Sequence, residues 1–98
     1  MGELSYDRLA PEEAAERAKA LDGWAIIDGA LTKEFEFKTY ADGVLFAVAC
    51  ARSAEALNHH PDLLVGYKKV KVSYVTHDAG GGLTSYDFEA ARRVQQLA

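Results

Sequence analysis

Apolar and polar positions alternate with two different periods along this chain, and the switches between them mark out seven elements. Ala14, Ala18 and Leu21 recur at helical spacing. Pro11 can open that helix because a first-turn N–H has no intrahelical partner to lose, and Glu12 and Glu13 suit its positive end. Gly23 is placed to stop it. The period then falls to two. Strands are predicted over Trp24–Ile27 and Ala30–Lys38, joined by Asp28-Gly29, a pair that accepts the positive φ values of a tight hairpin. Leu31, Lys33, Phe35 and Phe37 share one face of the second strand, and Thr32, Glu34 and Glu36 the other, as in a sheet covered on one side.

A second helix is predicted from Tyr40 to His59, opened by Thr39 with Asp42 in capping-box spacing and closed by Pro61, which pushes its preceding residue out of helical conformation. Its Val44–Ala51 stretch is apolar on every side, so this helix is expected to be buried on two faces, one against the sheet and one against another subunit. A second strand pair is predicted over Leu63–Tyr67 and Lys69–His77. Val70, Val72 and Tyr74 alternate with Lys69, Lys71 and Ser73, which places His77 on the polar face at the strand's end. After Gly80-Gly81-Gly82, Thr84 with Asp87 caps a last helix reaching about Leu97. The order α-β-β-α-β-β-α describes an α+β fold: a four-stranded antiparallel sheet with three helices packed on one face.

Composition narrows the function classes. The 98 residues have room for one core, so residues 1–98 are read as a single domain whose thin margin burial between subunits would supplement. A net charge of −4 argues against general nucleic-acid binding, and the short basic runs Lys68-Lys69-x-Lys71 and Arg92-Arg93 suit a solvated surface. The lone Cys50 can form no internal disulfide. The first residues, Met1 to Tyr6, lack the basic start and apolar run of a signal peptide, and no apolar stretch approaches the ~20 residues of a membrane span. A cytoplasmic protein without a membrane association is expected.

The chemistry concentrates in one window. All three histidines, His59, His60 and His77, fall within 19 residues, two at a predicted helix end and one at a predicted strand end. The negative end of a helix favours the cationic form of His59 or His60. Glu55, one turn before His59, is expected to orient or charge-stabilise that imidazole. Each residue also has a plain structural explanation: a histidine can cap a helix, Asp87 can serve only its capping box, Tyr67 can cover the core from a strand, and Glu55 can be a solvated charge. A metal site is not expected, because adjacent imidazoles rarely converge on one ion and no CxxC or HExxH accompanies them. Cys50, mid-helix among apolar residues, suits inert packing, and the triple glycine lacks the spacing of a nucleotide loop.

Read together, Glu55-x3-His59-His60-Pro61-x5-Tyr67-x9-His77-x9-Asp87 resembles the signature of the pterin-4a-carbinolamine dehydratase family. Gly23-Trp24, the phenylalanine-rich second strand, Thr76-His77-Asp78 and Gly82-Leu83-Thr84 are similar to the family as well, so the resemblance covers roughly residues 20 to 95. It implies a four-stranded antiparallel sheet with helices on one side, in dimers or dimers of dimers. It also implies dehydration of 4a-hydroxytetrahydrobiopterin to quinonoid dihydrobiopterin, with no metal or organic cofactor. That reaction recycles the pterin after aromatic amino acid hydroxylation, which makes a hydroxylase a pathway partner. By this resemblance His59, His60 and His77 are the site histidines, and Glu55, Pro61, Tyr67 and Asp87 support the pterin site. The chemistry needs one group to donate and another to accept a proton near neutral pH; His60 and His77 are assigned these transfers, which of them is the acid left open, with His59 binding or assisting at the hydroxyl.

Two positions depart from the family pattern. Leu63 stands where many relatives have an aromatic residue, which bears on pterin preference, and the loop after His77 has one glycine more than the commonest relatives. Two further functions compete with the first: a protein-binding or dimerisation module acting through helical surface, as in animal relatives, and a dehydratase for a different pterin.

Overall fold

The computed structural model describes residues 4–98. The part of the leader reading that concerns Met1 to Glu3 lies outside these described residues. Helix α1 spans Pro11–Lys19, strands β1 and β2 Ala25–Ile27 and Ala30–Glu36, and helix α2 Tyr40–Leu57. Strands β3 and β4 follow at Asp62–Val65 and Lys69–Tyr74, then a single 3₁₀ turn at His77–Ala79 and helix α3 at Ser85–Leu97. The element order is the one expected from the sequence.

The four strands form one antiparallel sheet in the order β1-β2-β4-β3. Asp28 (φ 50°) and Gly29 (φ 82°) both adopt positive φ, giving the tight hairpin between β1 and β2. The register pairs Leu31 with Tyr74 and Phe35 with Val70, so alternation carries the apolar side chains of both central strands to one face. The opposite face pairs Glu34 with Lys71 and Glu36 with Lys69, opposite charges that suit water.

The helices cover the apolar face. The sheet supplies Leu31, Phe35, Val70, Val72 and Tyr74, while α2 and α3 add Phe46, Phe88 and Val94 and otherwise meet it with the small residues Ala47, Ala54, Ala90 and Ala91. Small residues let the helix backbones approach closely, and burial of each large side chain contributes about 1.5–3 kcal/mol. Trp24 lies between Phe35 and Tyr74, with its indole N–H donating to Gln95 Oε1 at 3.0 Å. Within the chain α2 buries Gly43, Phe46, Ala47, Cys50 and Ala54, while Leu45 (65% exposed) and Val48 (50%) face outward. No helix is long and apolar enough to cross a membrane among the described residues.

Several strand and helix ends shift by one to three residues from the sequence reading, β2 for one ending at Glu36 rather than Lys38, and three of the shifts bear on the site. Helix α2 stops at Leu57 rather than His59, because Asn58 takes the left-handed conformation (φ 54°, ψ 43°). The amide of His59 then donates back to the Ala54 carbonyl, a closure that ends helices. Strand β3 runs Asp62–Val65, which leaves Tyr67 in the β3–β4 turn. Strand β4 ends at Tyr74 rather than His77: Thr76 makes an isolated bridge to Gly82, and His77 opens the 3₁₀ turn instead of standing on a sheet face.

Candidate active site

The reversal at Asn58 separates the two adjacent histidines. His59 turns inward and is 7% exposed, while His60 stays at the surface. This overturns the expected pairing of Glu55 with His59. With the helical i, i+4 geometry lost, Glu55 Oε2 instead meets His60 Nε2 at 2.5 Å. Both partners are exposed, so the pair positions the imidazole and contributes only about 0–1 kcal/mol to stability.

The partner of His59 is Asp87, far away in sequence and fully buried. His59 Nε2 donates to Asp87 Oδ1 at 2.6 Å, while Asp87 Oδ2 accepts from the Thr76 hydroxyl (2.7 Å) and the Thr84 amide (2.9 Å). Thr76 gives its proton to the carboxylate and so accepts from the Thr84 hydroxyl at 2.9 Å; that hydroxyl in turn accepts from the Tyr86 amide. Three donors thus reach one carboxylate directly and two more back them through hydroxyls, the arrangement that makes a buried carboxylate tolerable. Committing Nε2–H to Asp87 fixes the tautomer of a neutral His59 and leaves Nδ1 as its acceptor. The capping box of α3 is therefore also the anchor of a site histidine. Its counterpart at α2 is half made: Thr39 accepts from the Asp42 amide, without the reciprocal bond.

Aromatic rings enclose His59. Tyr74 lies parallel to it (centroids 6.0 Å, 9°), and Tyr86 and Tyr6 approach at 5.8 and 6.5 Å. Tyr74 is fully buried and its hydroxyl has no partner among the described residues; burial raises its pKa well above the ordinary phenol value, with Cys50 and Asp87 adding to the shift. Cys50 is likewise buried, its thiol pushed up to about 11 by desolvation, far from the thiolate a nucleophile requires.

The three histidines open on one cleft of about 300 Å³, shared with Thr76, Asp78 and Tyr6. It brings together an inward imidazole anchored on a buried carboxylate, an outward imidazole paired with Glu55, and His77 at the start of the 3₁₀ turn. Such a set can donate and accept protons at different points around one small molecule. Two expected site residues stand elsewhere. Tyr67 is 74% exposed at the β3–β4 turn, with the Lys68 ammonium 5.2 Å from its ring centroid, and it neither lines the cleft nor covers the core. Pro61 does not line the cleft either; it follows His60 and leads the chain into β3. No group of three His, Cys, Asp or Glu side chains is placed to hold a metal ion among the described residues.

Sequence reasoning missed Tyr6, Tyr86 and the hydroxyl relay. Thr84-x-x-Asp87 was readable as a cap, but nothing local indicates that the same carboxylate has a second oxygen reaching a histidine 28 positions away. Tyr6 precedes every regular element and carries no periodic signal at all.

Comparison with known proteins accords with this architecture. The model of the family described as Pterin 4 alpha carbinolamine dehydratase matches residues 7–97. A Streptomyces coelicolor protein provisionally named pterin-4-alpha-carbinolamine dehydratase is 40% identical over 95 residues, 97% of this chain and 94% of that protein. A Rhizobium meliloti protein of the same provisional name is 40% identical over 94% of this chain and 89% of its own length. Among solved structures, a transcriptional coactivator/pterin dehydratase from Brucella melitensis superposes with a TM-score of 0.87 at 36% identity, over 94% of this chain and 99% of that one. A pterin dehydratase-like protein identified as a RuBisCO assembly factor in the alpha-carboxysome gives 0.61 at 26% identity, over 76% and 86%. With near-complete coverage by the family model and by relatives at this identity, the chain belongs to the pterin 4 alpha carbinolamine dehydratase family.

Proposed function

We propose that this protein dehydrates a 4a-hydroxytetrahydropterin, 4a-hydroxytetrahydrobiopterin in the first instance, to the quinonoid dihydropterin by histidine acid–base catalysis. The observation that carries the reading is the convergence of His59, His60 and His77 on one small cleft, each held by a different environment. In the reaction the bond from carbon 4a to its hydroxyl oxygen breaks and water leaves. The neighbouring nitrogen N5 loses its proton, and its electrons form the double bond to carbon 4a. Hydroxide is a poor leaving group, so one imidazolium must donate while a neutral imidazole accepts, and histidine suits both tasks near neutral pH.

His60 and His77 carry these two transfers in this reading, because His59 has committed Nε2–H to Asp87 and offers only Nδ1 to a ligand. His59 holds the carbinolamine hydroxyl. After each turnover the donor is neutral and the acceptor charged, and exchange with solvent resets the pair.

Stopped-flow absorbance on freshly generated 4a-hydroxytetrahydropterin tests the proposal. His60→Ala and His77→Ala are each expected to lower kcat on the order of 10²-fold with the fold intact. Normal turnover in both variants would refute the assignment, and no acceleration by the wild type would refute the activity.

The outward apolar side chains of α2 support association as homodimer or homotetramer, and with it a second reading, a protein-binding module. Charge placed on that face should abolish binding first if association is the main role, and leave turnover in place if catalysis is.

A further inference from the structure

We propose that Tyr6 is a substrate-binding residue, the aromatic wall of the cleft on which a flat heterocycle stacks. The inference rests on the pterin reading above and adds a residue outside the histidine signature. Residues 5–9 belong to no regular element, yet they are fastened across the start of α3. The Ser5 amide donates to Ser85 Oγ at 2.8 Å, and the Ser85 hydroxyl donates to the Ser5 carbonyl at 3.1 Å. The Asp7 amide donates to Ser5 Oγ, and the Leu9 amide to the Leu83 carbonyl at 2.8 Å. Backbone order of this kind outside a helix or sheet fixes what the strap carries, and it carries Tyr6.

The ring of Tyr6 stacks on Tyr86 with centroids 4.2 Å apart and planes within 12°, so one face is occupied. Of the three tyrosines around His59, Tyr74 and Tyr86 do not line the cleft; Tyr6 does, and it remains 46% exposed. A half-exposed tyrosine adds little to the core, whereas a ring held rigid beside three histidines offers a bicyclic ligand a stacking surface. Desolvation, reinforced by Tyr86, raises the Tyr6 phenol above its ordinary pKa, so the stacking ring is uncharged at working pH.

Calorimetric titration with 7,8-dihydrobiopterin, alongside steady-state kinetics, tests the proposal on the whole chain. Tyr6→Leu should weaken binding and raise KM about ten-fold, the scale of one lost ring stack, while kcat changes less than about three-fold. Tyr6→Phe keeps the ring and should raise KM far less than Tyr6→Leu does. Ser85→Ala loosens the strap without touching the cleft and should raise KM in the same sense, which keeps the test open should Tyr6→Leu unfold. Wild-type affinity and KM in both Tyr6→Leu and Ser85→Ala would overturn the inference while leaving the dehydratase reading intact. Failure of the wild type to bind the dihydropterin would overturn both.

Discussion

Asp87 serves two structures with one carboxylate: it closes the capping box of α3 and anchors His59. Asp87→Ala strands several buried polar groups at once and should cost about 3–5 kcal/mol, a large share of the stability of a domain this size, measured by urea unfolding. Asp87→Asn separates the duties. Its carbonyl can still face Thr76 and Thr84, but its amide must then donate to His59 Nε2, which inverts the neutral tautomer. Unfolding free energy should fall far less than in the alanine variant, while turnover drops at least ten-fold, as when a histidine is held in the wrong tautomer. The Tyr74 hydroxyl, buried and without a partner among the described residues, makes the opposite case: Tyr74→Phe should keep or raise the melting temperature. At this scale the sequence was readable where partners are close in the chain, as for Thr84 and Asp87. It was misleading for Glu55, whose partner changed from His59 to His60 because one left-handed residue intervenes.

That residue, Asn58, is where element and site meet. Gly accepts its backbone conformation, so Asn58→Gly should be near neutral in thermal unfolding. Asn58→Val should cost about 1–2 kcal/mol and lower turnover by misdirecting both following histidines. Helix α3 carries a pH-sensitive pair of its own. Hydrogen bonds from Arg92, and then from Arg93, hold the Glu89 carboxyl down at about 2, against partial opposition from burial. Because the folded value lies below the unfolded one, this contribution is complete above about pH 4.5 and disappears as pH falls towards 2. Replacing Arg92 and Arg93 by Gln should flatten the acid limb of stability in that window, as followed by circular dichroism. Element order and the paired-strand faces were legible because periodicity reports burial directly. The end of β4 was not: alternation continues through Val75 and Thr76, but Thr76 is bound to Asp87, a constraint from another element.

For the whole molecule, the sheet's two faces divide the labour, one closed by helices and one left charged. The outward band of α2 stands apart from both. Leu45→Lys with Val48→Lys should leave the far-ultraviolet spectrum unchanged and shift sedimentation to a monomer if that band joins subunits, as proposed. Unchanged sedimentation would move the interface elsewhere. The excess apolar width of α2 was visible in the sequence, but the cleft was not, since it is assembled from the end of α2, the segment after β4 and the N-terminal strap. One internal feature also makes the molecule its own instrument. Its single tryptophan, Trp24, sits 6.3 Å from the Tyr74 ring, which itself lies under His59. Indole emits in the near ultraviolet, where reduced pterins absorb, so ligand entering the cleft should quench Trp24 by energy transfer and give a label-free optical titration of occupancy.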